Sequence, residues 1–252
     1  MRPLVAVRNR TPFSARFCDR EPLFWPLARA ARALGVHADF PPVDALARVF
    51  AERPPVQFIQ ARPRRGRRAP LDARALYDAR ITLDRTVPTR ERSWHDLMNA
   101  LVWGTFPRAK LALHARQHRA ITERLTPGTC TLPPTRTREL DALALLDEGG
   151  VVVLTKDPEA MHEALATMRA GVLRAHIESG AAEAVVFGHA IYESLALGVA
   201  PAVVASLALL RDKGEDLASN ADRALATAIK DEGMLRSPDE LKRVDLREIS
   251  AK

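Results

Sequence analysis

The sequence is poor in cysteine, in aromatic residues and in long apolar runs. Its 252 residues include two cysteines, Cys18 and Cys130, which cannot build a disulfide framework and match no zinc-ligand spacing. No apolar stretch approaches the roughly 20 residues of a membrane-spanning helix. The arginine-containing first residues lack the apolar core of a signal peptide. We therefore expect a cytoplasmic protein that does not insert into a membrane.

Several motifs of common enzyme classes are also missing. The chain has no glycine-rich phosphate loop, no Gly-x-Ser-x-Gly elbow, no His-Glu-x-x-His pair and no dinucleotide fingerprint. The sequence identifies no cofactor. What it does contain is 47% apolar and 27% charged residues, the usage of an ordinary folded domain.

Charge is distributed unevenly along the chain. Residues 1–140 carry 26 basic and 12 acidic side chains, whereas residues 141–252 carry 12 and 19. The densest basic segment has five arginines in eight residues, including Arg64, Arg65, Arg67 and Arg68. Such a segment can bind phosphates by charge alone, but a solvated surface, in a chain rich in arginine generally, is the simpler interpretation. Nucleic acid or another polyanion is therefore one possible partner.

The pattern of apolar residues predicts short strands scattered among helices, which favours an α+β fold over a doubly wound sheet. We expect a main domain over residues 1–210 and a helical extension over 211–252 packed on it. Residues 75–90 suggest two short strands, residues 143–154 suggest a hairpin, and after Gly188 only helices are expected. The remaining predictions are helices at 26–35, 43–51, 93–106, 107–124, 158–172 and 217–229, and strands at 56–60 and 184–187. A last short helix is expected after a capping box that starts at Ser237.

The first group of polar residues lies at the start of the helix predicted over 93–106. His95 and Asn99 share a helical stripe with apolar residues, which draws both side chains toward the interior. In a functional interpretation His95 is a base or metal ligand, Asn99 orients it and Asp96 is a neighbouring carboxylate. Alternatively, His95 and Asp96 complete the helix N-terminus and Asn99 holds a loop.

The second group follows the strand predicted to end at Gly188. His189 and Glu193 are four residues apart and share a helix face, a geometry that suits a shared proton or a shared metal ion. A simple internal hydrogen bond between them is the alternative. His114 and His118 have the same spacing but lie among arginines, so we do not expect a metal there. Asp147-Glu148 is typical of a tight turn.

Several short motifs occur in a fixed order along the chain: Val87–Arg90, Trp94–Asp96, Asn99–Trp103, Phe106–Lys110, Asp141–Leu143, Leu146–Glu148, Phe187–Ala190 and Glu193. Together they resemble the bacterial domain-of-unknown-function family 3025. The similarity covers about residues 20–210, while the tail after Leu210 and the arginine-rich segment look particular to this chain. The resemblance implies that the Trp-His-Asp and Gly-His-x-x-x-Glu segments belong to one domain, but it implies no activity.

The sequence leaves three functional hypotheses open. In the first, His95, Asp96, Asn99, His189 and Glu193 form one catalytic pocket of hydrolase-like or metal-assisted type that acts on phosphate-containing substrates. In the second, the basic half binds nucleic acid or an acidic partner without catalysis. In the third, the buried polar side chains only specify packing. The first requires the imidazoles of His95 and His189 to be neighbours.

Overall fold

A computed structural model of the chain describes residues 11–61, 73–125, 135–199, 201–212, 214 and 216–249. Helices predominate, as the α+β prediction requires, and 3-10 turns fill much of the proline-rich N-terminal part. The α-helices are α1 (Ala28–Leu34), α2 (Tyr77–Asp84), α3 (Trp94–Thr105), α4 (Pro107–Thr122), α5 (Arg138–Gly149), α6 (Pro158–Ala166), α7 (Val172–Glu178), α8 (His189–Ala196) and α9 (Leu217–Lys230). The 3-10 segments are Phe17–Asp19, Pro22–Leu27, Val43–Val49, Ala73–Ala75, Pro238–Glu240 and Leu246–Glu248.

The strands form two small sheets. In the first, β1 (Gln57–Gln60) pairs in parallel with β2 (Thr86–Thr89). The second contains β3 (Gly150–Thr155), β4 (Ala182–Val186), β5 (Val203–Leu210) and β6 (Lys242–Asp245), in the spatial order β4-β3-β5-β6. Strand β3 runs antiparallel to β4 and parallel to β5, and β6 runs antiparallel to β5. All six residues of β3 are buried, so this strand is the centre of the core.

Helices α3 and α4 form as their sequence predicts. The Ser93 hydroxyl accepts a hydrogen bond from the Asp96 backbone N–H and caps α3. Pro107 occupies the first turn of α4, where a missing N–H costs nothing. Trp103 and Phe106 are fully buried at the end of α3, so the apolar stripe shared with His95 and Asn99 does face the interior.

The hairpin predicted over residues 143–154 is wrong. Residues 138–149 are helical, and only the second half of the predicted hairpin, strand β3, is a strand. The Thr137 side chain caps α5, and Leu140, Leu143 and Leu146 recur at helical spacing and are buried. A short apolar run is compatible with either a helix or a strand. Here the Thr137 cap at its start favours the helix. Asp147 and Glu148 therefore lie in the last turn of a helix.

Three other local predictions need correction. The first strand expected in residues 75–90 is helix α2, whereas the second is β2. The helix expected over 158–172 ends at Ala166, because Met168 and Gly171 adopt positive φ angles of 51° and 83°. Strands β5 and β6 follow Gly188, where only helices are predicted.

The C-terminal part of the chain packs on the rest through α9 and β6. The Asp216 side chain caps α9, and the capping box predicted at Ser237 is present on a 3-10 turn. Strand β6 lies at the edge of the larger sheet, beside β5. Within the described parts of the chain, no helix combines the length and apolar character that crossing a membrane requires.

Candidate functional site

Two histidines far apart in the chain meet where α3 packs against α8. The Nε2 atoms of His95 and His189 lie 3.1 Å apart. Their rings are nearly perpendicular, with centroids 4.5 Å apart. The juxtaposition that the first hypothesis requires is therefore present.

Gly188 explains how the start of α8 comes so close to the end of α5. A Cβ atom at this position would lie 2.5 Å from both the Glu148 carbonyl oxygen and the Gly150 backbone nitrogen, a separation that real Cβ contacts do not allow. The Gly188 N–H also donates to the Gly150 carbonyl at 2.8 Å. Glycine thus lets the backbone carrying His189 rest directly on the backbone carrying Glu148.

A carboxylate lies on the Nδ1 side of each imidazole. His95 Nδ1 is 3.0 Å from Glu193 Oε2, so this nitrogen donates and the lone pair of the neutral ring lies on Nε2. His189 Nδ1 is 3.7 Å from Asp147 Oδ1, and among the described residues it has no hydrogen-bond partner. An ionised Asp147 at this distance favours the same tautomer of His189. Both rings then direct an Nε2 lone pair toward the same point.

Glu148 completes the cluster. Its Oε2 atom lies 3.5 Å from His189 Nε2, and the three potential ligand atoms of His95, Glu148 and His189 all lie within 4.8 Å of one another. In a tetrahedral site with zinc–nitrogen bonds of 2.0–2.1 Å, two ligand atoms are separated by about 3.3 Å. Two of the three observed separations, 3.1 and 3.5 Å, bracket that value.

The three side chains open into a cavity of about 330 Å³. The Glu148 side chain is 51% exposed and that of His95 is 23% exposed, whereas that of His189 is 4% exposed. The cluster is therefore anchored on its inner side and accessible on its outer side. The cavity wall also includes Ala61, Tyr77, Pro88, Thr89, Arg90, Asp96, Asn99 and Asp147.

A buried ion pair supports the inner wall. The ammonium of Lys110, on α4, donates to Asp147 Oδ1 at 2.6 Å, and the Lys110 side chain is fully buried. Burial alone would raise the pKa of the Asp147 carboxyl, but Lys110 and then His189 outweigh it and hold that pKa well below its ordinary value. Asp147 is therefore an anion beside His189.

The surroundings of His95 favour its charged form. Burial opposes that charge, but the hydrogen bond to Glu193 and the nearby carboxylates of Glu148 and Asp96 outweigh burial and raise the pKa of His95. A positive charge at this position, whether a proton or a cation, is thus electrostatically stabilised.

Asp96 is a neighbouring carboxylate of His95, but its hydrogen bonds and that of Asn99 are made to other residues. Asp96 accepts from the Arg90 backbone N–H at 2.6 Å and from two guanidinium nitrogens of Arg90, Nε at 3.1 Å and Nη2 at 2.6 Å. Asn99 Nδ2 donates to the Tyr77 hydroxyl at 3.2 Å. Both residues line the cavity, but their hydrogen bonds hold its other walls and not His95.

His114 belongs to a separate buried group. Its Nδ1 is 2.8 Å from Asp78 Oδ1, and its ring stacks on Trp103 with centroids 5.5 Å apart. Burial, followed by the charge of Lys110, lowers the pKa of His114. The His114 ring also lies edge-on to the ring of Tyr77, which lines the cavity.

Four of the five residues that the sequence suggests line one cavity, namely His95, Asp96, Asn99 and His189. The fifth, Glu193, is buried and contacts the cluster through His95 Nδ1. The sequence analysis missed Arg90, Lys110 and Tyr77, and it assigned Asp147 and Glu148 to a turn. One signal was available, because two carboxylates in the last turn of a helix oppose the helix dipole and call for a compensating positive charge. The predicted polyanion-binding residues Arg64, Arg65, Arg67 and Arg68 lie outside the described residues.

The fold and this cluster define a helix-rich α+β protein with a His–His–Glu constellation at a helix junction. Residues 65–250 match the family model described as "Protein of unknown function (DUF3025)", so the chain belongs to this family. No curated protein and no solved structure matches the chain significantly.

The extent of this match corrects the limits expected from the sequence. The family model begins at residue 65 and not near residue 20, and it continues to residue 250. The segment after Leu210 is therefore part of the matched region and not a peculiarity of this chain. The match also includes the second half of the arginine-rich segment.

Proposed function

We propose that His95, His189 and Glu148 bind one divalent transition-metal ion, and that the protein is a metal-dependent hydrolase. The observation that carries this proposal is the 3.1 Å separation of the two Nε2 atoms, with a carboxylate on the far side of each ring. Two imidazoles and one carboxylate are a ligand set of catalytic zinc sites, and carboxylates behind the ligating histidines are their usual support.

The local charge also supports a dication. Among the described residues, two cations compensate four carboxylates at or next to the metal-ligand cluster, which leaves two negative charges when both imidazoles are neutral. A divalent ion would neutralise this excess, which otherwise carries a large desolvation cost. The carboxylates are Asp96, Asp147, Glu148 and Glu193, and the cations are Arg90 and Lys110.

The chemistry follows from an ion with three protein ligands and an open side. A metal ion held there would lower the pKa of a water and polarise the bond under attack. In the hydrolysis, the water oxygen would form a bond to the electrophilic centre of the substrate and the bond to the leaving group would break. One proton of water would go to the leaving group and the other to solvent. Glu193 and Asp147 keep the two rings in the ligating tautomer.

Metal analysis tests the proposal directly. The purified protein is stripped with chelator, titrated with Zn²⁺ and Co²⁺, and assayed by elemental analysis and cobalt absorption. We expect about one ion per chain, and a loss of affinity of more than about 100-fold in H95A, H189A and E148A, because each removes a ligand. E193Q keeps all three ligands and should weaken binding by about 10- to 100-fold.

Two variants outside the cavity provide matched controls. H118A changes a half-buried histidine of α4, and E163A an exposed glutamate of α6; both should bind metal like the wild type. Hydrolysis of p-nitrophenyl phosphate, bis-p-nitrophenyl phosphate or p-nitrophenyl acetate should appear with metal and disappear with chelator. A wild-type protein that binds neither ion, or an H95A/H189A protein that binds both normally, would show that a proton and not a metal lies between the rings.

A further inference from the structure

One guanidinium lies on the wall of the cavity among the described residues, that of Arg90. Its Nε and Nη2 atoms are bound to the two oxygens of Asp96, which fixes the plane of the group. The Arg90 backbone N–H also donates to Asp96. A single carboxylate therefore holds both the main chain and the side chain of Arg90.

The part of the guanidinium that Asp96 does not use is available to a ligand. An arginine has five N–H donors, and two nitrogens of Arg90 bond Asp96 through one edge. Among the described residues, no other acceptor binds this guanidinium, and its side chain is 64% exposed. The remaining edge, with two roughly parallel N–H donors, matches two oxygens of a phosphoryl group.

Arg90 is close to the proposed metal ligands. It lines the same cavity as His95, Glu148 and His189. The hydrogen bond with Asp96 is the main reason that the pKa of Arg90 is raised, and the charge of Glu193, which holds His95, adds to it. The guanidinium is thus within electrostatic reach of the His95–Glu193 pair, on the accessible side of the cluster.

We infer that Arg90, positioned by Asp96, binds a phosphoryl group of the substrate beside the metal ion. This inference rests on the proposed metal site and names the substrate class, a phosphate ester. The cavity of about 330 Å³ accommodates a phosphoryl group and a small part of its leaving group. Asp96 is a positioning residue, because its contacts are to Arg90.

The probe is inorganic phosphate, titrated into the Co²⁺-loaded protein and followed by the change in cobalt absorption. We expect R90M to weaken phosphate binding by roughly 10- to 100-fold, the value of charge-assisted hydrogen bonds from one guanidinium. R90M should bind cobalt at least as tightly as the wild type, because a positive charge is removed. R90K keeps the charge but loses the paired donors, so its affinity should be intermediate. D96N keeps the guanidinium but weakens its orientation, and should also be intermediate.

R92M is the matched control, because Arg92 lies two residues away, bonds Asp39 and does not line the cavity. Since R90M leaves the Asp96 carboxylate without its ion pair, the R90M/D96N double variant is measured beside it. The double variant should fold and bind cobalt like the wild type. Like R90M, it should bind phosphate more weakly than the wild type does.

Each outcome decides between the two proposals. If the wild type binds no cobalt, the metal site itself is wrong and the present inference falls with it. If cobalt binds but R90M and R90M/D96N bind phosphate as tightly as R92M, the metal site stands and the role of Arg90 is wrong. If acetate binds as tightly as phosphate and depends equally on Arg90, the ligand class is a carboxylate and not a phosphate ester.

Discussion

At the scale of single residues, Lys110 has the most deeply buried charged side chain among the residues that the structure describes. Its ammonium meets Asp147 at 2.6 Å and lies 5.6 Å from the ring centroid of Trp103. A buried ion pair adds little net stability, because the desolvation of both charges offsets their attraction. Removal of one partner is nevertheless costly, because it leaves an uncompensated buried charge. Lys110 therefore keeps Asp147 ionised, and this anion lies 3.7 Å from His189 Nδ1.

We predict that K110M lowers the free energy of unfolding by about 3–5 kcal/mol, because Asp147 loses its cation. The double variant K110M/D147N removes both charges and should recover most of this loss. Urea denaturation of the metal-free protein measures both values. K156M is the control, since Lys156 is exposed; equal stabilities of K110M and K156M would contradict the account of the buried pair.

At the scale of elements, the ends of helices determine where charged groups lie. The N-terminus of α4 is capped from α9: Asp222 Oδ1 accepts from the Ala109 N–H at 2.8 Å and Oδ2 from the Arg108 N–H at 3.3 Å. Burial raises the pKa of Asp222 to about 6, although these two N–H groups and the Arg108 charge oppose the shift. The carboxyl therefore binds its proton more tightly in the folded protein than in the unfolded chain.

This shift gives a pH dependence of defined sign. Between about pH 4 and 7 the folded state holds the Asp222 proton while the unfolded state has lost it, so this group lowers stability as the pH rises. Relative to D222N, which retains an acceptor without the charge, the wild type should lose about 3 kcal/mol of unfolding free energy over this range. Denaturant titrations at several pH values measure the difference.

Asp216, the cap of α9, is the matched comparison. Its hydrogen bond with Ser219 is the main cause of a lowered pKa, so wild type relative to D216N should gain stability as the pH rises through about 4. Opposite slopes for the two variants are expected. Parallel pH profiles of D222N and the wild type would show that Asp222 does not titrate in this range.

Elements with strong local signals were predictable from the sequence, and the others were not. Helices α3, α4 and α9 have caps, a first-turn proline or a long amphipathic stripe, and the structure confirms them. Helix α5 and strand β5 depend on short apolar runs, which do not distinguish a buried helix face from a buried strand. The Thr137 cap fixes the first as a helix, and the pairing with β3 fixes the second as a strand.

At the scale of the whole molecule, the basic and acidic parts of the sequence suggest a surface of uneven charge. The arginine-rich segment lies outside the described residues, so its role in binding a polyanion stays a prediction. The division into a domain over 1–210 and an extension over 211–252 likewise stays a proposal. The pairing of β6 with β5 joins the two parts in one sheet.

We predict that polyanion binding, if it occurs through this segment, is governed by salt. The affinity for single- or double-stranded nucleic acid, measured by fluorescence anisotropy, should fall steeply as salt rises, and R64Q/R65Q/R67Q/R68Q should flatten that dependence. The control is a second quadruple variant that removes four exposed arginines from the acidic part of the chain, R169Q/R174Q/R236Q/R243Q. It should leave the salt dependence unchanged. Binding that is insensitive to salt, or equal in both quadruple variants, would contradict the prediction.

The sequence by itself determined the helix-rich α+β class, the family and the two segments that carry His95 and His189, because caps, stripes and motif order are local properties of the chain. Only the tertiary structure decided that Asp147 and Glu148 belong to the site, that Lys110 and Arg90 balance its carboxylates, and that Asp96 holds Arg90. These contacts join residues on different helices, and their partners depend on the close backbone approach at Gly188 and on burial, neither of which a linear pattern encodes.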